Sequence, residues 1–514
     1  MSEHGRDERQ LGPHDDAENL SAPVKRTPLP KFQVFIILFI QFSEPVTALV
    51  IYPFIIQFVR DTGVTNGDET KTGYFAGIIE SVFFLAECLT VVNFGRASDR
   101  YGRRPVLLFG PLGLALSMLG FGLSKRFWSL VVFRCFQGAF NGNIGVSKSV
   151  MAEVSDSTNI AEIYSLLPFM WTVGATLGPL IGGTLANPAH RWPDTLGKLA
   201  ILREYPYLLP CATAGLLAFA AFVFAFFGLK EVGVLTSSLT CITLPSAIAR
   251  QKRAQQGTER EPLIADPWRP PTPASSATDS TGSLHSPCLY LPAQPRLLCF
   301  CQMSYDVLVP LVYATPIEMG GLGLSPFQIG RVMGLCGFLN ILAQTFLSAK
   351  MIRRFGPRKI FIASFCCMSW SFSAYSLLNF FARRAGKVDA FVVIVIILQM
   401  SSSFVIFPTF GKRPFVDVAQ NHDLTTVAPA CTQIFIVDSA PTPNSLGGVN
   451  GLAQMVSSIT RSVAPSVAAS LFSTSVKLNL LGGNMVYVVL LCAALTGVRT
   501  TFLLPKKLRA EGGP

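Results

Sequence analysis

Ionisable side chains lie inside long apolar stretches of this sequence, among them Glu44, Glu80, Glu87 and Arg134. A charge at the centre of a membrane helix costs about 2.5–3.5 kcal/mol, so such an arginine should face protein and pair with an acid. Burial favours the protonated form of a carboxyl group and a neighbouring arginine favours the charged form, so a buried pair can bind and release a proton. Of the three glutamates we favour Glu44 as the partner of Arg134 in this exchange. The alternative is a static structural pair.

Further polar residues in the apolar stretches recur at helical spacing. Glu80 and Glu87, seven residues apart, share one helix face. Three other stripes are Gln302 and Asp306; Asn340 and Gln344; and Asn450, Gln454, Ser457 and Arg461. A polar stripe on a membrane helix faces other protein or a water-filled cavity. We interpret Gln41, Gln137, Asn340, Gln344, Asn450 and Gln454 as cavity lining, with interhelical hydrogen bonding as the alternative. Asp306 is a second candidate for binding a proton.

The composition is that of a membrane protein. Of the 514 residues, 50% are hydrophobic and 14% are charged, whereas soluble proteins carry about 25% charged residues. The net charge of +12 does not predict a nucleic-acid partner, because the basic residues lie in short loops between apolar stretches, as the positive-inside rule describes. The five histidines fall in polar segments and the sequence contains no G-x4-G-K-[ST] nucleotide motif. We therefore expect no metal, no cofactor and no enzymatic activity.

Twelve apolar stretches predict membrane-spanning helices, because backbone groups in lipid must find hydrogen-bond partners within their own segment. They cover residues 34–58, 72–94, 106–123, 128–151, 163–185, 207–229, 297–318, 329–349, 360–381, a stretch starting near 390, 446–472 and 485–504. The prediction is an all-α membrane protein whose twelve transmembrane helices form two six-helix bundles, 32–230 and 297–505. The protein is expected to be embedded in the lipid bilayer, with both termini in the cytosol.

Three segments lie outside the predicted bundles. Residues 1–31 and 506–514 are predicted to be cytosolic tails, and 231–296 a disordered linker rich in serine, threonine and proline. Within the second bundle, residues 411–430 are an irregular polar insert after the tenth span. A retained intron in the gene model and an unusual cytosolic loop are the two interpretations.

A charged loop between the second and third spans has a weaker copy in the second bundle. Residues 95–105 read GRASDRYGRRP, and residues 354–359 read RFGPRK after the eighth span. Gly95 can let two helices approach closely, and Gly102 suits a tight turn with positive φ. Asp99, near the start of the third helix, can interact with the positive end of its dipole. The recurrence of the loop after the second span of each half supports a parallel repeat.

Three motifs together resemble the major facilitator superfamily over about residues 32–230 and 297–505. Its motif A is matched by Gly95, Asp99, Arg100, Gly102, Arg103 and Arg104, and its motif B by RCFQG at residues 134–138. Its motif C, the antiporter signature, is matched by Gly174, Gly178, Pro179, Gly182 and Gly183. In this family motif A latches the two halves on the cytosolic side; a generic basic loop that sets topology is the alternative. The glycines of motif C form a smooth ridge for a neighbouring helix, which is also ordinary packing of small residues.

Within that superfamily the chain is similar to drug:proton antiporters of type 1 and to the zinc-induced-facilitator-like group. YATP at 313–316, GGLGLS at 320–325 and NGLAQ at 450–454 support this narrower resemblance, whereas the cysteine and histidine motifs of plant zinc-induced facilitators are not evident. The resemblance implies a monomeric transporter in the plasma or vacuolar membrane that exports small organic solutes or drugs in exchange for protons. One alternative is a proton symporter or facilitative uptake carrier for a nutrient such as a sugar or organic acid. A second is a non-transporting membrane sensor, and a third is a defective protein in which the insert interrupts the tenth helix.

Overall fold

The computed structural model describes residues 30–154, 160–230, 293–346, 348–402 and 446–502. The predicted tails lie almost wholly outside the described residues, as do most of the linker and the whole of the insert at 411–430. All regular structure within the described ranges is helical. This agrees with the all-α prediction.

The helices of the N-terminal half, residues 30–230, are α1 Lys31–Leu49, α2 Ile55–Asp61, α3 Thr72–Tyr101, α4 Arg103–Gly122, α5 Phe127–Asn141, α6 Ile144–Val154, α7 Ile160–Leu185, α8 Pro188–Arg191, α9 Ala200–Glu204 and α10 Leu208–Gly228. Those of the C-terminal half, residues 293–502, are α11 Ala293–Ala314, α12 Pro326–Phe346, α13 Ser348–Ala385, α14 Ala390–Ser401, α15 Leu446–Lys477 and α16 Met485–Thr501. Short 3-10 turns occur at Glu69–Lys71, Leu196–Lys198, Ile317–Met319 and Leu480–Gly483.

Each predicted span corresponds to described helix, but two spans are broken. The first divides into α1 and α2 around Pro53, whose ring removes a backbone donor from the helical ladder. The fourth divides into α5 and α6 after Asn141. Six described helices are long and apolar enough to cross a membrane: Lys31–Leu49, Glu69–Ser98, Arg103–Gly122, Leu208–Gly228, Arg296–Ala314 and Pro326–Ala343.

Antiparallel packing of helices across the two halves defines two ends of the molecule. The start of α3 packs against the end of α15, and the end of α7 packs against the start of α12. The junction of α3 and α4 at Gly102 and the start of α13 therefore lie at the same end, which we call the basic end. We call the other end the far end. Residues 354–359 belong to the helix α13 and are not a loop.

At the far end, groups left unpaired at helix ends find partners in the other half. The Arg60 guanidinium donates to the carbonyl oxygen of Ala314 at the end of α11, with both N···O distances 3.3 Å. The backbone N–H of Tyr74, in the first turn of α3, donates to the Ser473 hydroxyl at 2.9 Å. The first N–H groups and last C=O groups of a helix lack partners within it. These contacts therefore hold the halves together where they touch.

The motif C glycines of α7 form the predicted ridge against α1. Cβ atoms added to Gly174, Gly178 and Gly182 would lie 2.4, 3.1 and 1.8 Å from atoms of Pro45, Val46 and Val50 respectively. Gly183 faces the other half instead, where an added Cβ would lie 2.5 Å from the Pro326 carbonyl oxygen. Motif C thus packs α7 both within its own half and across to α12.

Candidate functional site

The buried guanidinium of Arg134 on α5 pairs with Glu80 on α3. Its Nη2 lies 3.0 and 3.2 Å from the two carboxylate oxygens, and the two side chains are 1% and 5% exposed. Arg134 also donates to the side chain of Gln137 at 2.8 Å and to the carbonyl oxygen of Ala48 at 3.2 Å. The ring of Phe83 lies 4.3 Å from the guanidinium carbon. Three helices of the N-terminal half therefore meet at this cation.

The preferred pairing of Arg134 with Glu44 was wrong. The Ala48 carbonyl sets the level of the guanidinium on α1, and Glu44 lies four residues, about 6 Å by helical rise, nearer the basic end. Glu80, one of the three candidates, stands at the level of Arg134. Helical spacing in the sequence places Glu80 and Glu87 on one helix face but does not determine which glutamate lies at the same level as Arg134 of α5.

A second site lies nearer the basic end, where one amide joins the other two glutamates. The Asn141 Nδ2 group donates to a Glu44 oxygen at 3.0 Å and to a Glu87 oxygen at 3.2 Å. Glu80 and Glu87 are seven residues apart on α3, as Arg134 and Asn141 are on α5, so the two helices make two matched contacts. This confirms that Glu80 and Glu87 share a face. The Asn141 Oδ1 atom is buried without a hydrogen-bond partner.

Two cations complete this second site, which we call the charge cluster: Glu44, Glu87, Asn141, Lys148 and Arg461. Lys148 on α6 and Arg461 on α15 both act electrostatically on the two carboxylates. Arg461 also donates to the Cys299 thiol on α11. The cluster thus joins α1, α3 and α6 of the N-terminal half to α15 of the C-terminal half.

The side chains of the charge cluster differ in exposure. Glu44 and Asn141 are 5% and 2% exposed, whereas Glu87 and Arg461 are half-exposed and Lys148 is exposed. On α3, no described residue lies within 4 Å of an added Cβ at Gly95, two turns beyond Glu87 toward the basic end. The close approach expected at Gly95 is therefore not made by any residue that the structure describes, whereas the described contacts between the halves lie toward the far end.

The motif A residues follow the turn between α3 and α4. Gly102 has φ +94°, which confirms the predicted positive φ. Asp99 lies in the last turn of α3 and not at the start of the third span, because α3 continues to Tyr101; its side chain lies outside the described part. Arg103 donates to the Ser98 hydroxyl at 2.8 Å and Arg104 to the Phe226 carbonyl at 2.6 Å, both in the N-terminal half. The side chain of Arg100 is exposed.

Three of the six predicted cavity-lining residues have side chains that the structure describes. Gln41 and Asn340 are buried, and Gln137 supports Arg134. On α11 Gln302 donates to Asp306 at 2.9 Å, so these two polar residues pair with each other. The side chains of three other candidates lie outside the described part of the chain: Gln344, Asn450 and Gln454.

A small apolar pocket lies between the halves on the far-end side of Glu80. Its lining combines residues of α2, α3 and α11 with Tyr52: Tyr52, Ile55, Ile56, Ala76, Glu80, Val307, Pro310 and Leu311. The Tyr52 hydroxyl donates to Glu80. Tyr207 and Tyr487 are buried and stack on Phe58 and Tyr375 respectively. Their rings serve the core of each half.

Sequence reasoning missed three members of these sites: Asn141, Lys148 and Tyr52. Asn141 had a usable signal, since its spacing from Arg134 equals that from Glu80 to Glu87. Lys148 also had a signal, because it is a second cation within the fourth apolar stretch. A charge in a membrane helix is costly, so Lys148, like Arg134, should have an acidic partner. Tyr52 had no signal, because tyrosines are common near the ends of membrane helices.

The fold and sequence resemble known transporters. The family model of the Major Facilitator Superfamily matches residues 37–412. The major facilitator-type transporter psiT2 of Psilocybe cyanescens is 31% identical and covers 94% of this chain and 92% of its own length. The multidrug transporter mfsB of Aspergillus fumigatus is 26% identical, with 86% and 79% covered, and Protein ZINC INDUCED FACILITATOR 1 of Arabidopsis thaliana is 26% identical, with 90% and 88% covered. The crystal structure of a D-xylose-proton symporter superposes with a TM-score of 0.66 at 13% identity, over 93% of this chain and 99% of that one.

Proposed function

Because this chain belongs to the Major Facilitator Superfamily, we propose that it exports small organic solutes in exchange for protons by alternately opening its two ends. The observation that carries the proposal is the arrangement of the halves. They are joined at the far end through Arg60 and Ser473, and toward the basic end no described residue lies within 4 Å of an added Cβ at Gly95. A solute can then reach the cluster from one side of the membrane at a time.

The basic end is proposed to face the cytosol. It carries Arg100, Arg103 and Arg104 on one half and Arg354 and Lys359 on the other. Cytosolic loops of membrane proteins carry an excess of such residues. The conformation described here is then open to the cytosol, which suits the loading step of an exporter. The plasma membrane and the vacuolar membrane both fit this orientation, and a monomer contains the whole site.

Proton exchange is proposed at Glu44 and Glu87, not at the Glu80–Arg134 pair. Glu87 is half-exposed to the space between the halves, whereas Glu80 and Arg134 are sealed from it. The single amide of Asn141 links the two carboxylates, so a proton that leaves one is felt by the other. The motif C ridge and the name of the relative mfsB, a multidrug transporter, favour export.

Flux driven by a pH gradient tests this proposal. Proteoliposomes with an acidic lumen should accumulate norfloxacin or ethidium from outside faster than vesicles without a gradient, because protons leave as the drug enters. Glu44→Gln should reduce accumulation to the rate without a gradient, whereas Glu204→Gln, an exposed residue at the far end, should not. Accumulation only when the outside is acidic would indicate a symporter instead. Accumulation of neither compound under either gradient would contradict drug transport.

A further inference from the structure

Three hydrogen-bond acceptors of the charge cluster surround one amide group. Glu44 and Glu87 accept from the Asn141 Nδ2 group, and the Oδ1 atom of the same amide is buried without a partner among the described residues. A buried acceptor left unpaired costs free energy, which a bound donor would recover. Two carboxylates and a free amide oxygen match the donors of a primary or secondary ammonium group, which carries several N–H bonds.

The cluster also contains two cations from different helices. Arg461 reaches it from α15 of the C-terminal half, and Lys148 reaches it from α6. Arg461 is half-exposed, donates to Cys299, and is absent from the ion pairs within 4 Å among the described residues. A planar guanidinium in this position can bind a carboxylate or phosphate through two parallel hydrogen bonds.

We infer that the charge cluster binds a zwitterionic solute, with its ammonium group on Glu44, Glu87 and Asn141 and its acidic group on Arg461 and Lys148. The cluster holds two carboxylates and two cations, so a solute with one charge of each sign enters without leaving an unpaired charge between the halves. This inference rests on the proposed function and names its class of solute.

The arrangement also explains how solute and proton would exchange. An ammonium group and a proton both bind to the Glu44 and Glu87 carboxylates, so the presence of one excludes the other. The acidic group of the solute meanwhile contacts Arg461 of the opposite half. A bound zwitterion therefore links α1 and α3 to α15 at the level where the two halves separate.

Binding to the purified full-length protein in detergent tests the inference without any flux. Two matched sets of probes share a ring and differ in charge: phenylalanine, phenethylamine and 3-phenylpropionate; and tryptophan, tryptamine and indole-3-propionate. The zwitterion of each set should raise the thermal unfolding midpoint more than either singly charged analogue. Arg461→Gln should abolish the preference for phenylalanine over phenethylamine, and Arg461→Lys should keep it. Glu87→Gln should abolish the preference for phenylalanine over 3-phenylpropionate.

Several results would overturn the inference. They are equal stabilisation of the wild type by phenethylamine and phenylalanine, no stabilisation by either zwitterion, and an unchanged preference in Arg461→Gln. If Arg461→Gln does not fold, the wild-type comparison and Arg461→Lys still decide the matter. If binding is selective for the zwitterion but flux does not depend on the pH gradient, the proposed proton exchange is wrong and the inferred binding site stands. If the pH gradient drives ethidium flux but binding is not selective for the zwitterion, the inferred binding site is wrong and the proposed proton exchange stands.

Discussion

Oxidation of a Ser81→Cys/Ser466→Cys variant should abolish transport, and reduction should restore it. The two hydroxyl oxygens are 2.7 Å apart, on α3 of one half and α15 of the other. The Ser466 backbone N–H, next to Pro465 within α15, also donates to Ser81 at 3.0 Å. Disulfides require Cβ atoms about 3.5–4.5 Å apart, which this contact allows. The bond would fix the halves in the conformation that is joined at the far end, so the site could no longer open there.

A matched pair within one half separates this effect from oxidation itself. The hydroxyl oxygens of Ser371 on α13 and Ser402 after α14 are 2.6 Å apart, both in the C-terminal half. Ser371→Cys/Ser402→Cys should form the same bond and continue to transport under oxidation. Drug flux in proteoliposomes, with mass spectrometry of the bond, measures both variants. Continued transport by a fully oxidised Ser81→Cys/Ser466→Cys protein would contradict rocking about the far-end contact.

Arg134→Leu should lower the free energy of unfolding by about 3–5 kcal/mol, because it leaves Glu80 buried without its cation. Denaturation in detergent followed by tryptophan fluorescence measures the change. The double variant Arg134→Leu/Glu80→Leu should recover much of the loss, since no uncompensated charge remains. Lys125→Leu is the control, because Lys125 and Glu204 form an exposed ion pair whose loss should have little effect.

A double variant no more stable than Arg134→Leu would contradict this account of the pair. It would mean that the hydrogen bonds of Arg134 to Gln137 and Ala48, and not the charge of Glu80, account for the loss. A small effect of Arg134→Leu alone would show instead that the pair is not sealed from water.

The sequence was sufficient for the fold and for the position of Arg134, because both follow from the cost of polar groups in lipid. Charge within an apolar stretch marks a residue that must face protein, whatever its neighbours are. The resemblance to the superfamily and to its multidrug and zinc-induced-facilitator members is confirmed by the relatives described above. The glycine ridge of motif C could also be predicted, since spacing alone places Gly174, Gly178 and Gly182 on one face.

The partners within the site could not be predicted in the same way. Whether Glu44 or Glu80 meets Arg134 depends on the relative height of three helices, which is set by packing such as that of Gly138 on Phe83. An added Cβ at Gly138 would lie 2.0 Å from the Phe83 carbonyl oxygen, so this contact fixes the level of α5 against α3. The sequence places Arg461 in a polar stripe, but nothing in that stripe indicates that Arg461 interacts with two glutamates of the other half.

Paired distance measurements at both ends of the molecule test the central claim, that two halves rock about one site. Spin labels at Tyr101 and Phe355 report on the basic end, and labels at Leu199 and Leu481 report on the far end; all four side chains are exposed. When substrate and a pH gradient are added, the basic-end distance should shorten in the same fraction of molecules in which the far-end distance lengthens. Distances that stay fixed at both ends, or that change in the same direction, would contradict the account.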